Sequence, residues 1–306
     1  MTIPPFLTPG ARVALLAPSG PQPQERFEAA LASIQSLGLT PVVYPTCHYQ
    51  HGFLAGTDEQ RAQDLNDAFA DDSISGILCL RGGYGAHRLM KLLNWENIAK
   101  HPKMLCGYSD ITALHLYLNQ YCGMVTWHTP MPGTEWYQGL DGYTLQSLKT
   151  ALFGPLPGVL ANPPGMAFET LLPGVAEGVL VGGNLSLVAS TVGTFYEVDT
   201  KGKILFLEDV DEEPYTIDRM LLQLKHAGKF ADCAGIVFGP FTNCNTPRKE
   251  RPGLTISEVL QELVLPEGKP VLAGWQCGHV LPTTSAPLGL PVRLDAGAQT
   301  MEVLAP

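Results

Sequence analysis

The amino-acid sequence predicts an α/β protein in two parts, a first half built on a parallel sheet and a second half richer in strands. Three observations lead there. Short apolar runs alternate with helix-spaced segments through the first half, Pro and Gly crowd residues 154–174, and apolar runs bounded by turn residues dominate the remainder of the chain.

Residues 11–17 (ARVALLA) form a nearly continuous apolar run stopped by Pro18-Ser19-Gly20, the pattern of a strand buried on both faces. Residues 24–37 carry Phe27, Leu31 and Ile34 at helical spacing and end at Gly38, a C-terminal cap. Residues 40–44 give the next strand. Thr57-Asp58-Glu59-Gln60 is a capping-box pattern, opening a helix with Ala62, Leu65 and Phe69 on one face. Residues 76–80 are a strand running into Arg81-Gly82-Gly83-Tyr84-Gly85, and a helix with Leu89, Leu92 and Leu93 is expected after it. Residues 104–108 and 111–121 repeat the strand–helix order. Consecutive units of this kind make a parallel sheet with helices on both faces.

Pro fixes φ and removes a donor while Gly loosens the chain, so the Pro/Gly-rich segment reads as a linker. The expected domains are 1–155, a linker 156–173, and 174–306. In the last, strands are expected at 202–207, 235–239 and 271–274, with a closing hairpin around Asp295-Ala296-Gly297 and a helix over 216–227.

With 19 basic and 29 acidic residues the formal net charge is −10, and no Lys/Arg cluster interrupts it. Such a chain suits neither nucleic acid nor an anionic membrane, so a small molecule or peptide is the expected substrate. The seven cysteines are scattered and lack a C-x-x-C pair, which argues against a disulfide framework or a zinc site. No apolar stretch is long enough to span a bilayer, and the first residues carry no secretory signal. A cytoplasmic location is expected.

Four places carry chemistry. Ser109 and Asp110 fall between a strand and a helix, where a sharp turn exposes a hydroxyl and free N–H groups can stabilise an oxyanion. The usual G-x-S-x-G is absent, because Ile111 stands where the second Gly would be, and an ordinary N-cap explains the same pattern. The Arg81–Gly85 loop lets backbone approach a ligand or supply an oxyanion N–H, or is simply a tight connection. It matches neither the dinucleotide fingerprint nor a P-loop. Glu208 ends an apolar strand and begins the acidic stretch Glu208, Asp209, Asp211, Glu212, Glu213; it points either to a crevice at the sheet edge or to the solvated start of a helix. Among eight histidines, His279 and His128 both sit where a catalytic base could, and spacing does not choose between them.

Taken in order, these segments resemble the LD-carboxypeptidase family (murein tetrapeptide carboxypeptidases, peptidase family S66). The resemblance runs through Ala17-Pro18-Ser19-Gly20, Arg81–Gly85, Gly107-Tyr108-Ser109-Asp110-Ile111-Thr112-Ala113, residues 178–185, Leu207-Glu208-Asp209-Val210, residues 214–221 and Gly278-His279. It implies a Rossmann-like N-terminal domain, a β-rich α+β C-terminal domain and a catalytic cleft between them. It also implies a Ser109–Glu208–His279 triad, with the backbone N–H groups of Gly83 and Asp110 as the oxyanion hole. No cofactor or metal is implied. The reaction implied is release of the terminal D-alanine from L-Ala–γ-D-Glu–meso-diaminopimelate–D-Ala by a homodimer during peptidoglycan recycling. Arg81 is a candidate for the substrate carboxylate, with Asn184 and His128 as further candidate pocket residues.

Two other functions fit some of these observations. One is a self-immunity peptidase of the microcin C type, cleaving peptidyl-nucleotides; such relatives are expected to be longer than 306 residues. The other is a two-domain binding protein that clamps a small ligand without chemistry.

Overall fold

The computed structural model describes residues 1–245 and 253–304. In chain order the first half contains β1 (Arg12–Leu16), α1 (Gln24–Ser36), β2 (Thr40–Val43), α2 (Asp58–Ala70), β3 (Gly76–Cys79), α3 (Trp95–Lys100), β4 (Met104–Gly107), α4 (Thr112–Tyr121), β5 (Thr126–His128) and α5 (Gly142–Phe153). The second half continues with β6 (Glu169–Leu172), β7 (Val175–Asn184), α6 (Leu185–Ser190), β8 (Ile204–Val210), α7 (Pro214–His226), α8 (Lys229–Asp232), β9 (Gly235–Thr242) and α9 (Ile256–Leu263). It closes with β10 (Val271–Ala273), β11 (Ala286–Leu288), β12 (Pro291–Asp295) and β13 (Thr300–Val303).

Two compact units result. The first spans Met1–Pro155 plus Ser285–Gly289, and the second spans Leu156–Thr284 plus Leu290–Pro306. The sheet of the first unit runs β11-β5-β4-β3-β1-β2. Its five consecutive strands β5 to β2 are parallel, and only the edge strand β11 is antiparallel. That edge strand comes from late in the chain and had no signature as a member of this sheet, because its pairing with β5 is a purely long-range contact. The central strands are apolar and buried on both faces, as the uninterrupted runs predict.

The second sheet runs β13-β12-β7-β8-β9-β10-β6. Its four central strands are parallel, whereas β6, β12 and β13 pair antiparallel at the edges. Strand β6 corrects the reading of 156–173 as a linker. That segment belongs to the second unit, and Glu169–Leu172 lie beyond the last proline pair, where they are free to pair with β10.

The capping box at Thr57 forms as expected, with Gln60 N donating to Thr57 Oγ1 and Thr57 N donating to Gln60 Oε1. The helix expected around Leu89–Leu93 does not. A 3₁₀ turn occupies Ala86–Leu89, and the next helix waits until Asn94 caps Trp95–Lys100. Gly85, at φ +123°, breaks the backbone just where that helix would begin. Among the described residues no helix is long and apolar enough to cross a membrane.

Candidate active site

Strand β4 delivers the chain to Gly107, and a 3₁₀ turn over Ser109–Ile111 turns it into α4. Ser109 sits at φ +64°, in the left-handed region that a side-chain-bearing residue adopts only where its surroundings impose it. Neither Ser109 nor Asp110 caps the helix: the 3₁₀ turn has no side-chain cap, and α4 has none either. The N-cap explanation of this serine therefore fails, and a strained strand–turn–helix elbow takes its place.

Gly82 lies directly against the serine. A β-carbon there would stand 2.9 Å from Ser109 Cβ and 3.1 Å from Ser109 Oγ. The glycine-rich loop thus has a reason for its composition: only a bare α-carbon lets it pass the hydroxyl. Gly82→Ala needs no unusual φ, so its effect is crowding at Ser109. We expect kcat to fall by ~10–100-fold with little change in melting temperature, since displacements near 1 Å at a reacting group cost about that much. Gly142→Ala, where an added β-carbon meets nothing within 4 Å, is the control expected to keep full activity.

Burial also constrains the approach strand. His115, in α4, is fully buried and its Nε2 lies 2.8 Å from the Gly107 carbonyl oxygen, so Nε2 carries the proton in a neutral ring. Burial pushes its pKa down to about 4, against a smaller upward pull from the Gly107 carbonyl. The unfolded chain therefore binds a proton at this site near pH 6.5 while the folded chain resists it. This stabilisation is complete above pH 6.5 and is lost as pH falls toward 4, by roughly 3 kcal/mol. Thermal unfolding of wild type and His115→Gln across that window checks this, with a flatter pH dependence expected for the variant.

The second unit holds a carboxylate–imidazole pair. Glu208 is fully buried on β8, and its Oε2 accepts from His279 Nδ1 at 2.7 Å and from the His279 backbone N–H at 3.2 Å. Opposite Glu208 the β8–β9 register shifts, so that Gly239 and Pro240 bulge out against it. The bulge makes room for the loop bearing His279: a β-carbon on Gly239 would meet the Cys277 carbonyl oxygen at 2.6 Å and Glu208 Cβ at 2.9 Å. Gly278, at φ +127°, is similarly required, because any side chain there would collide with the Glu208 carboxylate. Thr242 Oγ1 donates to the His279 carbonyl at 2.6 Å and fixes the turn from behind. A carboxylate cannot donate, so Nδ1 carries a proton, and in the neutral ring Nε2 keeps its lone pair, the tautomer a general base needs.

The remaining candidates divide. Arg81 is half-buried and its Nη1 donates to the Pro21 carbonyl at 3.1 Å, while burial lowers its pKa. The Asn184 side chain serves the fold, its Oδ1 accepting from Leu187 N as the cap of α6 and its Nδ2 donating to Asp209 at 2.9 Å. Asp209 itself is buried and accepts from Ser186 N and Oγ at the start of α6. His128 is buried at the end of β5, edge-on to Tyr108 and near His115. No group of three or more potential metal ligands occurs among the described residues.

Sequence reasoning missed Ser19, Arg61 and the Asp110 side chain. Asp110 Oδ2 accepts from Ser19 Oγ at 2.5 Å and from Ala86 N at 2.7 Å, and Arg61 is wholly buried beside them. A signal existed for Arg61. It precedes Leu65 and Phe69 at four-residue spacing, on the apolar stripe of α2, where a charge is out of place unless paired.

A strained serine elbow in one unit and a buried carboxylate-held histidine in the other belong to the serine-type hydrolases. Comparison with known proteins narrows the class. Residues 13–129 match the LD-carboxypeptidase N-terminal domain and residues 177–294 the LD-carboxypeptidase C-terminal domain. The chain belongs to the LD-carboxypeptidase family, peptidase family S66. A probable murein peptide carboxypeptidase of Bacillus subtilis is 42% identical over 97% of this chain and 92% of its own length. Among solved structures, an MccF-like protein of Bacillus anthracis superposes with a TM-score of 0.89 at 25% identity, each chain covered completely. A muramoyltetrapeptide carboxypeptidase of Oxalobacter formigenes gives 0.82 at 28% identity, over 95% of this chain and 97% of that one. The microcin C7 self-immunity protein MccF gives 0.86 at 23% identity over 98% of both chains, a likeness of fold.

Proposed function

We propose that this serine hydrolase is a murein peptide carboxypeptidase in which Ser109 is the nucleophile, His279 its base and Glu208 the group that orients the base. The observation that carries the catalytic assignment is the Glu208–His279 hydrogen bond, which selects the Nδ1–H tautomer of the neutral ring in a family of LD-carboxypeptidases. In the first step Ser109 Oγ adds to the scissile carbonyl carbon and gives its proton to His279 Nε2. Collapse of the tetrahedral intermediate breaks the C–N bond, and the same proton passes to the leaving amine of the terminal D-residue. Water then repeats the sequence on the acyl-enzyme, releasing the shortened peptide and restoring Ser109. The backbone N–H groups of Gly83 and Asp110 hold the oxyanion. Arg81 is assigned to the substrate carboxylate, because a guanidinium pairs with it bidentately. This reading includes a homodimer acting in the cytoplasm.

The substrate assignment rests on the relative 42% identical in sequence. A second reading, cleavage of a peptidyl-nucleotide, has its own support. By shape it is the better supported, with a TM-score of 0.89 for the MccF-like protein of Bacillus anthracis against 0.82 for the muramoyltetrapeptide carboxypeptidase. A direct competition separates them: the murein tetrapeptide and a peptidyl-adenylate analogue are offered at equal concentration, and products are followed by liquid chromatography and mass spectrometry. Faster release of D-alanine supports the first reading. Preferential release of the nucleotide portion replaces it with the second.

A further inference from the structure

The Ala17-Pro18-Ser19-Gly20 segment has no part in the chemistry described so far, yet it is tied to the nucleophile turn by buried bonds. Asp110 is 1% exposed and immediately follows Ser109. Its Oδ2 accepts from Ser19 Oγ at 2.5 Å and from Ala86 N at 2.7 Å. The same two loops are also bound by Arg61, fully buried, whose Nη1 donates to the Pro18 carbonyl at 2.6 Å and to the Gly85 carbonyl at 2.9 Å. One buried anion therefore holds the donors of both loops, and one buried cation holds their carbonyls. Arg61 is kept in place by Asp58, which also pairs with Arg88 at 2.9 Å.

Between these anchors lies the loop that passes the serine. Gly20 N donates to the Gly82 carbonyl at 3.1 Å, and a β-carbon on Gly83 would sit 3.4 Å from Gly20 Cα. The Ser19-Gly20 segment is thus the platform on which Gly82 and Gly83 rest, and Asp110 is what ties that platform to the nucleophile turn. A loop with this much glycine has no rigidity of its own, so its geometry has to come from outside.

We infer that the Asp110 carboxylate is a positioning residue: through Ser19 and Ala86 it fixes the Gly82-Gly83 loop against Ser109 and so aligns the Gly83 N–H with the developing oxyanion. Arg61, bonded to the carbonyls of the same two loops, is the second half of the clasp. This inference rests on the assignment of Ser109 as nucleophile. It predicts a defect confined to the chemical step, because preorganised donors act where charge develops rather than on the bound substrate.

Asp110→Ala keeps the backbone N–H of residue 110 and removes only the clasp. The expected result is a fall in kcat of ~10–100-fold with KM within about threefold, measured per active site after titration with a fluorophosphonate. Ser19→Ala is the milder variant, expected to lose about fivefold or more in kcat with the same unchanged KM, because it breaks one bond of the set. The double variant is expected to be no worse than Asp110→Ala alone, since both substitutions open one connection. Wild-type kcat in Asp110→Ala overturns the inference, as does a multiplicative double variant. If Asp110→Ala does not fold, Ser19→Ala decides alone, and an unchanged kcat overturns it. The two assignments fail differently: wild-type protein labelled at Ser109 but indifferent to both substitutions loses only the clasp, whereas wild-type protein active yet unlabelled at Ser109 loses the nucleophile and the clasp with it.

Discussion

Ser109→Ala is expected to lower kcat for peptide cleavage by ~10³-fold or more while substrate binding survives, since triad loss leaves only the catalysis due to oxyanion donors and binding. The physical basis is local. Ser109 sits at φ +64° in a crowded turn, where a β-carbon on Gly82 would stand 2.9 Å from Ser109 Cβ and one on Gly107 would press on Ile111 and Cys79. Alanine at this position keeps the backbone strain and removes the hydroxyl, so the variant should fold and bind. Isothermal titration with intact substrate, combined with turnover measured on the same preparation, checks both halves. A binding protein without chemistry would show equal behaviour before and after the substitution.

Glu208→Gln is expected to cost ~10²–10⁴-fold in kcat, with only a small effect on KM. Glu208 Oε2 accepts from both the backbone N–H and Nδ1 of His279. An amide offers one acceptor and one donor. If its oxygen stays on the backbone N–H, its nitrogen is free to donate to Nδ1 and drive the ring proton to Nε2, the wrong tautomer for a base. If the carboxylate's charge is absent, the imidazolium formed during attack also loses its buried counter-ion. Rates with the variant and its wild-type parent, measured beside thermal unfolding, separate this from simple loss of fold.

Much of this architecture was legible in the sequence because its signals were short-range. The apolar runs of β1, β3 and β4, the capping box at Thr57 and the turn between β4 and α4 each depend on neighbours within a few residues. The features that escaped depend on distant partners. Strand β11 joins the first sheet from residue 286, and β6 takes its place at an edge only because β10 lies there. The same distinction runs through the site. A serine at a strand–helix junction is visible locally, but the choice of His279 as Glu208's partner rests on a bond spanning 71 residues. For Asn184, a candidate pocket residue, the sequence gives no local sign that its side chain caps α6 and donates to Asp209, 25 residues later. Asp110 likewise gives no local sign that its carboxylate reaches Ser19, 91 residues earlier.

The most direct test of the nucleophile is covalent capture. Protein treated with a fluorophosphonate, digested and mapped by mass spectrometry is expected to carry one phosphonyl group, on Ser109, with activity falling in proportion to labelling. Full activity in unlabelled protein at saturating reagent, or an adduct on another residue that abolishes turnover while Ser109 stays unmodified, would contradict the assignment.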